Sequence, residues 1–97
     1  MNGQQQNPQQ IQIRASDADL KGVYSNVMQI THNREEFVLD FFNVTPPLGV
    51  LASRVILSPG HLKRMIQALE ENIKRYEINF GNIKPAEAPK EEIGFKA

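Results

Sequence analysis

The 97-residue chain contains no cysteine. That removes disulfides, thiolate nucleophiles and cysteine-ligated zinc or iron–sulfur centres. An excess of charge is also missing: Lys+Arg and Asp+Glu each number 11. A balance of zero argues against nucleic acid or an anionic membrane as partner of the whole surface, although a local basic patch is compatible with it. No apolar run approaches the roughly 20 residues of a membrane-spanning helix. The first residues, "MNGQQQNPQQ", lack the charged and apolar regions of a secretory signal. A soluble, cytoplasmic protein is the expectation.

The motifs of common chemistries are missing as well. Ser25, Ser53 and Ser58 have no Gly-x-Ser-x-Gly setting. The glycine of "GHLKR" follows a strand-like segment without the further glycines of a phosphate-cradling loop. Two histidines, His32 and His61, are too few for a metal site without carboxylates. Nothing in the spacing gathers them with Asp17, Asp19 or Asp40. The sequence therefore points to no catalytic residue, no cofactor and no metal, and to a non-enzymatic protein.

What is present divides the chain in three. Residues 1–9 are a Gln/Asn-rich arm with too little apolar surface to offset the entropy of ordering. Residues 82–97, "NIKPAEAPKEEIGFKA", read as a flexible charged tail with two prolines, in which Ile93 and Phe95 are apolar docking candidates. Residues 10–81 form one domain. Its expected class is α+β: a four-stranded antiparallel meander followed by a long amphipathic helix.

The strand signals are "IQIR", with Ile11 and Ile13 on one face, then "VYSNVMQITH", "EFVLDFFNV" and "VLASRVIL". "SDADLKG", "NRE" and "TPPLG" read as the turns between them. The third segment is apolar on both faces: Phe37, Leu39 and Phe41 on one, Val38, Phe42 and Val44 on the other. One helix covers only one face of a sheet, so the other face calls for a second subunit, stays an exposed apolar patch, or is covered by loops and the two tails; the second subunit is the expectation. Inside this segment lies Asp40. With the hairpin centred on Pro47 it falls opposite Arg54, and the pair reads as a cross-strand ion pair that sets register or as a polar binding spot. Asn26 is a third member within reach.

The helix signals are sharper. Ser58 is an N-cap, Pro59 suits the first turn, and Gly81 suits the C-terminal end. Leu62, Ile66, Leu69, Ile73, Tyr76 and Phe80 recur at spacings of 4, 3, 4, 3 and 4, a heptad seam that marks a candidate oligomer interface. Met65 widens it. Glu70–Lys74 and Glu71–Arg75 are i,i+4 pairs of favourable order. The start of the helix is odd, because Lys63 and Arg64 sit at the positive end of the dipole. Each costs from a few tenths to about 1 kcal/mol there. Two accounts fit. Either the long side chains are simply solvated, or Ser58, Gly60, His61, Lys63 and Arg64 form an anion site with the amides of residues 60–62.

Several stretches together resemble a family of short prokaryotic proteins called domain of unknown function 3467. They are Tyr24-x-Asn26, Glu36-Phe37-x-Leu39-Asp40-Phe41, Ser58-Pro59-x-His61-x-Lys63 and Tyr76 with Phe80-Gly81. The resemblance spans about residues 11–83. It implies a build and no chemistry. A looser, fold-level likeness is to the SecB export chaperone, which also pairs a four-stranded sheet with a long helix. The expected function is a homo-oligomeric protein-binding or scaffold module whose first partner is itself and whose second is another protein. The alternatives are a SecB-like holder of unfolded chains and an anion or nucleic-acid binder that uses the helix start.

Overall fold

The computed structural model describes residues 9–87 and 93–94. In chain order the elements are α1 (Asp17–Lys21), β1 (Val27–His32), β2 (Phe37–Thr45), β3 (Leu48–Leu57) and α2 (Pro59–Phe80). The strands form one antiparallel sheet in the order β1-β2-β3. The fold is thus α+β with a C-terminal helix, and the sheet has three strands where the sequence suggested four.

The missing strand is "IQIR". Ile11 and Ile13 stand 78% and 83% exposed and pair with nothing in the sheet. Alternation of two isoleucines supplies a pattern but no partner strand, and an isolated strand in water does not form. The stretch read as a polar turn, "SDADLKG", contains the short helix α1 instead. Ser16 and Asp19 make a capping box: the Asp19 N–H donates to Ser16 Oγ at 3.1 Å, and the Ser16 N–H donates to Asp19 Oδ2 at 3.0 Å. The Ser16 backbone N–H, and after it the Ser16 hydroxyl, hold the Asp19 carboxyl below its ordinary value. The Ser-x-x-Asp spacing was the available signal. Helix α1 ends at Gly22, whose φ of 75° lies in the left-handed region.

The second expected strand begins later than its apolar residues suggest, since Val23 and Tyr24 precede β1 and are exposed. Just before β1, the Asn26 side chain imitates a peptide group. Its Nδ2 donates to the Val44 carbonyl and its Oδ1 accepts from the Val44 N–H, both at 2.8 Å. This lengthens the ladder along β2 by one position. Asn33 forms the β1–β2 turn, its Oδ1 accepting from the Glu35 and Glu36 amides at 2.8 and 2.9 Å.

Pro46 and Pro47, joined by a cis peptide bond, link β2 to β3. Thr45 pairs with Leu48, so the turn itself has two residues. Between Phe41 and Phe42 the register shifts, because Ala52 is an extra residue on β3. Without that bulge the tight turn would align Asp40 with Ser53. With it, Asp40 faces Arg54.

The interior is small. Leu39 (1% exposed) and Phe42 (4%) are the buried apolar residues among those described. They point to opposite faces of β2. The closest backbone contacts between elements are the strand pairings.

Candidate functional site

Three features collect the residues that the sequence singles out: an ion pair on the sheet, the start of α2, and the seam along α2.

The ion pair lies across the middle of the sheet, in a polar row of Gln29, Asp40 and Arg54. Arg54 Nε donates to Asp40 Oδ1 at 2.6 Å and Nη2 donates to Oδ2 at 2.9 Å. This is the two-pronged guanidinium–carboxylate geometry, which fixes orientation as well as charge. The carboxylate side chain is 8% exposed while the guanidinium side chain is 52% exposed. The hydrogen bonds from Arg54 lower the Asp40 pKa, against the opposing effect of desolvation. Both carboxylate oxygens are engaged, so the arrangement holds strand register and offers little to a ligand. Asn26 does not join the pair; Val44 occupies it.

At the start of α2 the Ser58 hydroxyl accepts from the His61 N–H at 3.2 Å, and the Ser58 carbonyl accepts from the Leu62 N–H at 3.0 Å. Two of the three amides that would cradle an anion are therefore already used within the chain. Gly60 is open, with nothing near the position of an added Cβ. Lys63 and Arg64 are exposed and lack hydrogen-bond or ion-pair partners among the described residues. The five residues lie on the N-cap and the first two turns of α2.

Helix α2 contains no buried residue. Leu62 and Met65 are half-buried. Further along, Ile66, Leu69, Ile73, Tyr76 and Phe80 are 43%, 53%, 47%, 50% and 74% exposed. Tyr76 and Phe80, one turn apart, have ring centroids 5.0 Å from each other. The expected Glu70–Lys74 and Glu71–Arg75 contacts do not form; Asp40–Arg54 is the ion pair of the described residues. At the far end the Glu77 carbonyl accepts from the Gly81 N–H at 2.9 Å and Glu77 Oε2 accepts from the Ile83 N–H at 2.8 Å. The first turn has no acidic residue and the last no basic one.

The sheet leaves apolar surface open too. Met28, Ile30 and Val55 surround Leu39 on one face and are 45%, 49% and 39% exposed. On the other face Leu51 and Ile56 are 41% and 54% exposed. His32 stacks on Phe37 at 5.1 Å, far in sequence from His61 at the start of α2. No group of three His, Asp or Glu residues suited to a metal occurs among the described residues. Nor is any described helix long and apolar enough to cross a membrane.

Fold and surface thus define a small α+β protein: a three-stranded meander, a register-setting ion pair and a long helix with an open apolar seam. Residues 1–85 match the family described as Protein of unknown function (DUF3467). The chain belongs to that family. No curated protein and no solved structure matches the chain.

Proposed function

We propose that the protein is a non-enzymatic homo-oligomer that serves as a protein-binding or scaffold module. One observation supports this reading: large apolar side chains stay exposed along α2 and on both faces of the sheet. From Ile66 to Phe80 the seam residues are 43–74% exposed, and Met28, Ile30, Leu51, Val55 and Ile56 on the sheet are 39–54% exposed. Apolar surface that is contiguous and exposed in this way marks an interaction face. Sedimentation equilibrium at tens of micromolar tests the reading. A multiple of the chain mass is expected, and a monomer mass would rule the proposal out.

The open sheet faces also favour a second reading, a holder of unfolded chains. A holder suppresses aggregation of a denatured client at stoichiometric amounts, whereas a scaffold with its faces covered by its own copies does not. Retention on heparin that falls steeply with salt would instead favour an anion or nucleic-acid partner at the helix start.

A further inference from the structure

We infer that two copies of the chain pair through α2 in antiparallel fashion, each Lys63 lying beside Glu77 of the other copy. The inference rests on the homo-oligomeric reading above and specifies its interface.

The shape of the seam comes first. A helix packed on a sheet needs an apolar stripe wider than two heptad positions. From Ile66 to Phe80 the seam of α2 keeps to two positions, the pattern of one helix against another. The seam is open for most of its length, so a second helix has room to lie on it.

Charge then selects the direction. Lys63, Glu70 and Glu77 form one flank of the seam, cationic at the helix start and anionic at its end. The other flank is Met65, Asn72 and Asn79, with no charge. In a parallel pair each flank meets the opposite kind of flank, so no attraction crosses the seam. In an antiparallel pair like flanks meet. Centred near Glu71, the antiparallel register sets Leu62 against Phe80, Ile66 against Tyr76 and Leu69 against Ile73 of the other copy. All six seam residues are then matched, and Lys63 meets Glu77 twice. One like-charged contact remains, between the two Glu70 side chains at the centre, with Lys74 one turn away on each helix. Lys63 lacks a partner among the described residues, and Glu77 keeps one carboxylate oxygen free while Ile83 holds the other.

The dipole gives the same answer. Helix α2 begins with cations, lacks acid in its first turn and lacks base in its last. Within one chain that polarity is unfavourable. Beside an antiparallel partner, Lys63 and Arg64 lie near the negative end of the other helix, and the two dipoles oppose. The arrangement is a two-fold one in which the same patch serves both copies.

The chain has no cysteine, so introduced ones report cleanly. In one helix, Leu62 and Phe80 are roughly 27 Å apart and cannot be bridged. The antiparallel pair predicts that L62C with F80C in one chain cross-links copies on oxidation, while L62C alone and F80C alone do not. Cross-linking of L62C to itself would mean a parallel pair and would overturn the inference while leaving the oligomer intact. Cross-linking of L62C to M28C or V55C in a mixture of variants would place the seam on the partner's sheet and overturn it likewise. A monomer mass for the unmodified protein would overturn both the inference and the reading under it. Charge exchange needs no seam change. K63E and E77K should each weaken association by roughly two- to thirtyfold for two equivalent pairs, and the double variant should restore it. Equal weakening in the double variant would reject the Lys63–Glu77 contact.

Discussion

At the scale of single residues, Asp40 shows how one side chain constrains a strand. A carboxylate in the most apolar strand is tolerated because Arg54 supplies two hydrogen bonds to it. Truncating Arg54 leaves a buried carboxylate without donors, so Arg54→Ala is expected to destabilise the protein strongly. Asp40→Ala removes the desolvated charge together with the pair. In a double-mutant cycle the combined loss should be smaller than the sum of the single losses, and simple additivity would argue against coupling. The pair also sets a pH dependence. The folded Asp40 pKa is lowered, so the folded state binds its proton less readily than the unfolded chain. Its contribution is complete above the ordinary aspartate value of about 3.9 and is lost as pH falls through the folded pKa. Urea midpoints measured at several pH values below 5 should fall for the parent protein and fall less for Asp40→Asn. Leu39 is the other decisive residue. At 1% exposure it is the best-buried side chain among the described residues, and Leu39→Ala should cost roughly 2–5 kcal/mol in denaturant unfolding.

At the scale of elements, α2 was the most legible part of the sequence. Its N-cap, its first-turn proline and its terminal glycine stand where the pattern places them. These are local signals that need no tertiary partner. Ser58→Ala should remove the bond from the His61 amide and cost about 1 kcal/mol. Gly81 has a φ of 93°, so Gly81→Ala should strain the helix exit and lower the melting temperature, whereas Gly60→Ala should be neutral or stabilising in the open space beside it. The β2–β3 hairpin was legible for a less secure reason. The aromatic and β-branched run announced β2, and the ion pair followed from centring the turn on Pro47. The actual turn is centred half a residue earlier, and the bulge at Ala52 restores the match. The first expected strand was not legible as absent, because "IQIR" has the right alternation and whether a strand finds a partner is a non-local matter. The capping box of α1 is legible in Ser-x-x-Asp, although its acidic, polar composition equally suits a turn.

At the scale of the whole molecule, sequence pattern said that the apolar faces needed cover but not what supplies it. A periodic stripe looks the same whether its own sheet or another copy covers it. In the fold the seam of α2 stays 43–74% exposed from Ile66 to Phe80, and Met28, Ile30, Leu51, Val55 and Ile56 on the sheet stay 39–54% exposed. With two buried apolar residues among those described, one chain has little to hold it together alone. Folding and assembly should therefore be one reaction, in which the stability of each copy depends on the concentration of the others. For a dimer, a tenfold rise in protein concentration contributes about 1.4 kcal/mol, which corresponds to a melting temperature higher by roughly 3–5 °C. Ile73→Asp, in the middle of the seam, should abolish this dependence by dissociating the copies, and the separated chains should be largely unfolded by circular dichroism. Exposed on a free helix, the same aspartate would do little beyond the few tenths of a kcal/mol of its poorer helix propensity. Circular dichroism melts of the parent chain from about 2 to 200 micromolar make the comparison direct. A melting temperature that does not move across that range, with Ile73→Asp melting beside it, would mean that each chain folds on its own and that the exposed seam is not what the fold depends on.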